Sequence, residues 1–206
     1  MERVSWSLGT KANRIELQNF DCCPGCRMDI VRHPNDSRRC LTEWAHSVQK
    51  YIHQHAISAT NGRARTHDQR LILLRDGDVL VGVGVHYSEE LPAESGAVFE
   101  RRIDAYATAL EVHGQKLSNG EYASKALLRA IVSDITTRHS SRDRVFLTAL
   151  VLPENGASRK CLERYGFREG GQDGPYLVYA ATLLNAQNHL GVEPTADIDA
   201  FQDPEP

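Results

Sequence analysis

The alternation of apolar and polar positions divides most of this chain into strands and helices. Residues 99–112 alternate at first and then become mostly apolar, which predicts a strand that enters a buried sheet. A short loop follows, and residues 121–139 place apolar side chains at three- and four-residue spacing, as an amphipathic helix does. A turn between strand and helix directs unpaired backbone N–H groups to one place, which suits a phosphate. An ordinary connection between the two elements is the alternative interpretation.

Shorter runs predict the remaining elements. The Asp76-Gly77 turn joins two strand-like runs as a hairpin, and helical spacing extends from Ser37 to about Ile57. A nearly all-apolar run, residues 145–152, is typical of a strand covered on both faces. The other predicted strands are residues 14–20, 70–74, 79–87 and 176–183, and a short helix, residues 157–165, ends at a left-handed Gly166.

Composition and charge set the class of protein. The 206 residues are 41% hydrophobic and 25% charged, which is enough for a single folded domain. We expect that domain to span residues 1–184 and the acidic segment 185–206 to be disordered. The sequence has no long apolar run and no basic-then-apolar leader, so a cytoplasmic protein without membrane contact is expected. Residues 1–75 hold twelve Lys or Arg against seven Asp or Glu, an excess that suits an anionic partner.

Four of the five cysteines crowd into the first part of the chain, at Cys22, Cys23, Cys26 and Cys40. Without an export signal, reduced thiols are expected rather than a disulfide framework. Cys23 and Cys26 have the two-residue spacing of a zinc knuckle, and His33 and Cys40 could complete four ligands. No second close pair follows, so ordinary thiols in a loop are the main interpretation, and no metal is expected.

A motif after the apolar strand makes the chain recognisable. The run Asn155-Gly156-Ala157-Ser158, followed by Cys161 to Phe167, resembles the late motif of the GCN5-related N-acetyltransferase (GNAT) superfamily, in which an Asn opens a short helix that ends in Gly-Phe. The order of predicted elements is also similar over residues 14–183. The resemblance implies an α/β (α+β) fold: a central mixed, mostly antiparallel sheet with splayed strands 4 and 5, flanked by helices. It also implies acetyl transfer from acetyl-CoA to a primary amine of a small molecule or protein.

The same resemblance places acetyl-CoA at the strand, loop and helix described first. There the superfamily has Gln or Arg, two residues, Gly, one residue, and Gly or Ala. The segment from Gln115 to Gly120 fits if Ser118 stands in for the first glycine. A second register, with Glu121-Tyr122-Ala123 on the Gly-x-Ala portion, would put a carboxylate beside the phosphates and is disfavoured. The residues implied to bind the cofactor are Leu110, Val112, Gln115, Lys116, Leu117, Ser118, Asn119, Gly120, Asn155 and Ser158.

For catalysis, the resemblance implies direct transfer to the amine, which requires a base for the attacking ammonium and an acid for the leaving thiolate. Glu111, near the end of the fourth strand, is the best placed carboxylate to act as the base. Many GNATs have a Tyr seven residues after the motif Asn, but that position here is Leu162, which cannot donate a proton. Ser158 is therefore the preferred acid. A catalytically degenerate CoA-binding or interaction domain is an alternative.

A second resemblance lies nearer the start of the chain. Phe20-Asp21-Cys22, then Leu41 to Trp44, then Arg65-Thr66 is similar to the N-terminal pattern of GNAT toxins that acetylate the amino acid on charged tRNA. A further alternative function is therefore a toxin of that kind, with tRNA as a partner. Acetyl-CoA and an amine acceptor are the implied partners in either case, and a homodimer is left open.

Overall fold

The computed structural model describes residues 4–23, 47–53, 67–90, 98–139 and 144–193. The strands are β1 (Val4–Leu8), β2 (His67–Asp76), β3 (Val79–Glu90), β4 (Val98–Thr108), β5 (Arg144–Val151), β6 (Arg168–Asp173) and β7 (Tyr176–Thr182). The helices are α1 (Arg14–Asn19), α2 (residues 47–53), α3 (Ala123–Thr136), α4 (Gly156–Arg164) and α5 (Leu183–Leu190). No helix in this described part is long and apolar enough to cross a membrane.

All seven strands form one sheet in the order β1-β2-β3-β4-β5-β7-β6. Every neighbouring pair is antiparallel except β4 and β5, which are parallel. That pair requires a crossover, which α3 provides as it passes over the sheet from the end of β4 to the start of β5. The predicted mixed, mostly antiparallel sheet with flanking helices is confirmed.

The fourth and fifth strands separate halfway along β4. Their pairing runs from Val98 opposite Arg144 to Ile103 opposite Ala149, and it stops there. Beyond that point β4 continues to Thr108 but is paired with β3 alone. The sheet therefore opens into a wedge between β4 and β5, as the predicted splay required.

A β-bulge lies at the point where the wedge begins. Val85 of β3 is opposite Ala105, but the next residue, His86, is opposite Ile103, so Asp104 is an extra residue in β4. An extra residue shifts the alternation of side chains between the two faces of a strand. Ile103 accordingly belongs to the core beneath α3, whereas Ala105 belongs to the core beneath α1 and α2.

The two faces of the sheet carry separate hydrophobic cores. On one face, Leu127 and Ile131 of α3 are fully buried against the sheet. On the other face, Leu17 of α1 and Ile52 of α2 are fully buried. Glycine in β3 lets α3 approach closely, because a Cβ atom at Gly84 would lie 2.6 Å from Cδ1 of Ile131. Close packing on β3 thus fixes the position of α3 over the sheet.

Several sequence predictions are confirmed with small changes in their bounds. The predicted strand 99–112 ends at Thr108 and is followed by a 3₁₀ turn, Leu110–Val112. The predicted hairpin is present, with Gly77 at a positive φ of 61°. Of the helix predicted from Ser37 to Ile57, residues 47–53 are helical, and the rest lies outside the described residues.

Three elements differ from the sequence predictions. Residues 14–20 do not form a strand, because Arg14–Asn19 is helix α1; its Leu17 is buried while Ile15 is 72% exposed. Strands β1 and β6 were not predicted. Both lie at sheet edges, and nearly all of their side chains are exposed, so they carry no apolar alternation.

The predicted disorder from residue 185 onward is wrong for the first part of that segment. Helix α5 extends to Leu190, whose side chain is buried in the core beneath α3. Gln187 donates a hydrogen bond of 3.0 Å to the hydroxyl of Thr136, which fastens α5 to the end of α3. Apolar contacts to α3 thus order a helix that its polar sequence alone does not predict.

A buried charge network joins α3 to β2 and β3. The carboxylate of Asp134 in α3 accepts hydrogen bonds from His86 Nε2 at 3.0 Å and from two nitrogens of Arg70 at 3.2 and 3.3 Å. Arg138 forms an ion pair with the same carboxylate of Asp134, at 3.5 Å. His86 is fully buried, and its Nδ1 has no hydrogen-bond partner among the described residues. A neutral imidazole satisfies this arrangement, with its proton on Nε2.

Both buried groups have lowered pKa values. Burial lowers the pKa of His86, and the neighbouring Asp134 only partly offsets this effect. Burial alone would raise the pKa of Asp134, but hydrogen bonds from His86 and Arg70 outweigh it and hold this pKa well below its usual range. A lowered pKa means that the unfolded chain binds protons that the folded chain does not. Stability is therefore lost as pH falls, first below the unfolded value of His, about 6.5, and then below that of Asp, about 4.

We predict that His86→Gln flattens the first part of this acid response. Gln keeps a donor near Asp134 but does not titrate, so the loss of up to about 1.4 kcal/mol per pH unit between pH 6.5 and 5 should disappear. Thermal or urea unfolding across pH 7.5 to 5 measures this. His189→Gln, at an exposed position, is the matched control and should keep the wild-type slope. Equal slopes for the two variants would contradict the assignment.

Candidate functional site

Two adjoining cavities lie where β4 leaves β5. The larger, of about 440 Å³, is bounded by the end of β4 and the first turns of α3 and α4. The smaller, of about 270 Å³, extends between β4 and β5 toward α2. Four residues line both cavities: Val48, Tyr106, Asn155 and Ser158. The wedge is thus a passage with one chamber toward α3 and another toward α2.

The larger cavity has a wall of backbone. The turn from Val112 to Gln115 lines it, and so do Tyr122, Ala123 and Ser124 at the beginning of α3. The residue at this end of α3, Tyr122, makes no capping hydrogen bond with its side chain. The first N–H groups of a helix have no intrahelical partner and lie at the positive end of its dipole, so this wall can bind an anion.

The predicted phosphate loop is folded away from this cavity. A β-bridge between Lys116 and Tyr122 closes the intervening residues into a loop. Ser118 donates its backbone N–H to Asp76 at 2.8 Å, and its hydroxyl also bonds to that carboxylate in the β2–β3 hairpin. Ser118 therefore connects the loop to the hairpin.

The structure divides the predicted cofactor-binding residues into two groups. Val112, Gln115, Asn155 and Ser158 line the larger cavity, and the last two also line the smaller one. The other predicted residues line neither cavity: Leu110, Lys116, Leu117, Ser118, Asn119 and Gly120. The N–H of Leu110 is bound to the carbonyl of Asp21 at 2.8 Å.

The second register of the glycine signature fits the cavity better. It places Tyr122 and Ala123 at the helix start, and both line the larger cavity. The objection to this register was the carboxylate of Glu121. That carboxylate is paired with Lys125 at 3.3 Å and with Arg129 at 2.7 Å, so its charge is compensated on the helix. Arg164 of α4 is the only Lys or Arg among the described residues that line this cavity.

Helix α4 is held in place at both ends. Asn155 caps its start by accepting a hydrogen bond from the N–H of Ser158 at 3.1 Å. The hydroxyl of Tyr179, a fully buried residue of β7, bonds to Arg159 at 3.1 Å and to Glu163 at 2.9 Å. At the other end, Gly166 has a φ of 91°, which confirms the predicted left-handed cap. These contacts fix Asn155 and Ser158 at the wedge.

The smaller cavity contains a carboxylate that the sequence predictions missed. The walls of the smaller cavity are mostly apolar or aromatic, and the carboxylate is that of Asp104. It is the only acidic residue among the described residues lining either cavity. The hydroxyl of Tyr51 in α2 donates a hydrogen bond to Asp104 and accepts one from Gln69 at 3.1 Å. Burial, together with the bond to Asp104, raises the pKa of Tyr51, so its hydroxyl stays a donor.

The predicted base and acid positions lie in different places relative to the cavities. Glu111 is exposed in the 3₁₀ turn after β4 and lines neither cavity. Ser158 lines both. Leu162, at the usual Tyr position, is buried and forms part of the smaller cavity. The bulge places Asp104 at the cavity, and the pattern of apolar residues does not predict a bulge. The sequence shows only that a carboxylate lies within a predicted strand.

The cysteines have two different environments. Cys23 is disulfide-bonded, which corrects the expectation of a reduced thiol at this position. Cys22 is a buried free thiol that lines the larger cavity. Among the described residues, no group of three or more His, Cys, Asp or Glu is arranged to hold a metal ion. Three of the four proposed zinc ligands, Cys26, His33 and Cys40, lie outside the described residues.

The sheet order, the parallel β4–β5 pair and the wedge beyond it define the GNAT fold, and comparison with solved structures agrees. A variant of the AtaT toxin bound to the C-terminus of the antitoxin AtaR superposes with a TM-score of 0.60 and 10% identity, covering 90% of this chain and 96% of that one. The PaiA N-acetyltransferase from Thermoplasma acidophilum, in complex with coenzyme A, gives 0.56 and 10%, covering 87% and 99%.

A third similar structure is AAC(6')-Ib in complex with ribostamycin and coenzyme A, with a TM-score of 0.54 and 16% identity, covering 89% of this chain and 96% of that one. By sequence, no protein-family model matches the chain, and no curated protein matches it. At these identities the comparisons establish the fold, and the chemistry has to be argued from the residues of this chain.

We predict that Ser118→Gly and Ser118→Ala each lower the free energy of unfolding by about 1 kcal/mol, since both remove the hydroxyl bond to Asp76. Urea unfolding of the two variants measures this loss. Similar losses in the two variants would identify the hydroxyl as the cause. Gly at wild-type stability or above it would contradict a scaffold role for this loop.

Proposed function

We propose that this protein is an acetyl-CoA-dependent N-acetyltransferase that transfers the acetyl group directly to a primary amine. The observation that carries the proposal is the passage through the wedge, in which two cavities share Tyr106, Asn155 and Ser158. A thioester that enters from the α3 side and an amine that enters from the α2 side would meet at these shared residues. The acceptor is a small molecule or a protein.

The open edge of β4 suits the amide-containing arm of the cofactor. Beyond Ile103 no described strand pairs with this edge, so backbone groups from Asp104 to Ala107 face the wedge and suit an extended chain. Addition of an extended ligand to a free strand edge is a general binding mode. The pyrophosphate would then lie at the start of α3, beside Tyr122 to Ser124, with Arg164 as the nearby cation.

The chemistry requires a group that removes a proton from the attacking ammonium. One ammonium proton goes to a base, the freed amine nitrogen forms a bond to the carbonyl carbon, and the C–S bond breaks. We assign this step to Asp104, directly or through one water molecule. Its position at the wedge supports the assignment, as does Tyr51, which orients the carboxylate. Glu111, outside both cavities, is the comparison residue.

We predict that acetyl-CoA stabilises the protein, by about 2.7 kcal/mol at a concentration of 100 times Kd. The increase in melting temperature measures this. Ser124→Asp should remove the increase while preserving the fold, because an acidic residue suits a helix start but repels phosphates. Ser118→Gly should keep the wild-type affinity, since its loop lies outside the cavity. No increase at millimolar acetyl-CoA would contradict the proposal.

We predict that Asp104→Asn lowers kcat/KM about 100-fold or more, with acetyl-CoA affinity unchanged. Release of the CoA thiol on a panel of primary amines, peptides and aminoacyl-tRNA measures the rate. Glu111→Gln is the matched control and should stay within about twofold of wild type.

The panel also separates the alternative functions. A loss in Glu111→Gln but not in Asp104→Asn would return the role of base to Glu111. Turnover only on aminoacyl-tRNA would identify the toxin activity. Acetyl-CoA binding without turnover on any acceptor would identify a degenerate binding domain.

A further inference from the structure

The proposed transfer leaves one proton unassigned, and the inference below rests on that proposed function. The departing CoA sulfur is a thiolate and has to gain a proton. Leu162, at the position where many GNATs have a Tyr, is a buried hydrocarbon. Among the described residues that line both cavities, two carry a hydroxyl group: Tyr106 of β4 and Ser158 of α4.

Tyr106 approaches the shared region from the strand side. It lies two residues after the bulge, on the open stretch of β4, and its ring packs against the core beneath α3. Its hydroxyl donates to the carbonyl of Ser124 at 2.6 Å and lies 3.1 Å from the Sγ atom of Cys161. Both partners line the larger cavity. The hydroxyl is thus directed at the α3 side of the passage, where the thioester would enter.

The hydroxyl can be redirected to a ligand at little cost. The carbonyl of Ser124 lies in the first turn of α3, so the N–H four residues later already bonds to it. Loss of the bond from Tyr106 therefore does not leave a buried acceptor unpaired, which would be the expensive outcome. Hydrogen bonds of catalytic groups in a free enzyme commonly rearrange when the substrate is bound.

The surroundings also favour the phenol of Tyr106 over the alcohol of Ser158 as the group that protonates the sulfur. Burial raises the pKa of Tyr106, so its proton is retained at neutral pH. Burial likewise raises the pKa of the neighbouring Cys161 thiol, and a CoA thiolate formed in the same place would experience the same effect. The pKa values of the proton donor, Tyr106, and of the proton acceptor, the CoA thiolate, are therefore both raised. An aliphatic alcohol is a far weaker acid than a phenol and would give up its proton less readily.

We propose that Tyr106 is the general acid of the transfer and replaces the helix tyrosine that is Leu162 in this chain. One ammonium proton goes to Asp104, and the freed amine nitrogen bonds to the carbonyl carbon. As the C–S bond breaks, the phenol proton goes to the sulfur, and the second proton that the nitrogen must lose returns to the phenolate through water. The products are the amide and the free CoA thiol, and Asp104 releases its proton to water.

The first test is Tyr106→Phe, which removes one oxygen atom from a packed ring. We expect kcat to fall about 100-fold, at the lower end of general acid effects because a thiolate leaves readily, with KM and acetyl-CoA affinity within about twofold. Tyr165→Phe, a buried tyrosine that lines neither cavity, is the matched control and should keep the wild-type kcat. If the role of Tyr106 were purely structural, Tyr106→Phe would instead lower the melting temperature and weaken acetyl-CoA binding.

The second test changes the acidity of the group without changing its shape. Incorporation of 3,5-difluorotyrosine at position 106 makes the phenol more acidic, so the alkaline decline of kcat should move to lower pH. In a third variant, Leu162→Tyr combined with Tyr106→Phe should recover at least tenfold of the lost rate, because Leu162 borders the smaller cavity. If the alkaline decline of kcat stays at the same pH, the proposal is overturned, whether or not Tyr106→Phe folds.

The outcomes for the two proposals are distinct. Wild-type turnover that persists in Tyr106→Phe, or that is lost in Ser158→Ala alone, would overturn the role of Tyr106 and leave the acetyltransferase intact. Absence of turnover by the wild type on every acceptor would overturn both the proposed function and this role.

Discussion

One extra residue in β4 is the constraint on which the rest of the site depends. Side chains of a strand alternate strictly between two faces, so the insertion of Asp104 transfers everything beyond it to the other face. Ile103 packs beneath α3, and Ala105 packs beneath α1 and α2. At that same residue β4 loses its pairing with β5. The bulge thus coincides with the start of the wedge and sets the position of Asp104, the only carboxylate among the described residues that line its cavities.

A wedge in a sheet is stable only if both of its sides are held from outside. On one side, α3 packs into the space left by Gly84, and the buried Asp134 joins it to β2 and β3. On the other side, Tyr179 and the Asn155 cap hold α4. The buried titratable groups His86 and Asp134 are paired and stabilise the fold. The polar side chains at the wedge have cavities beside them, as a binding site requires.

The sequence predicted the central part of the fold well, because its strands and α3 are long and strongly patterned. It failed where the pattern was weak: edge strands β1 and β6 are almost fully exposed, and α1 buries only Leu17. In the site, Asn155 and Ser158 were found through their motif. Asp104 was missed because its bulge depends on the pairing of β4 with β3, which the sequence does not show. Tyr106 was missed because its hydrogen bond to Ser124 depends on how α3 packs on β4. Within the predicted loop Gln115 to Gly120, Ser118 bonds to the hairpin whereas Gln115 lines the larger cavity, a division that the sequence did not indicate.

The two-chambered passage has a consequence for the order of events in the proposed reaction. The larger cavity borders the start of α3 and the smaller one extends between β4 and β5, and among the described residues Val48, Tyr106, Asn155 and Ser158 line both. In the proposed reaction the cofactor and the acceptor would occupy different cavities, so both could be bound at once in a ternary complex. Release of the amide would then not require the earlier release of the CoA thiol.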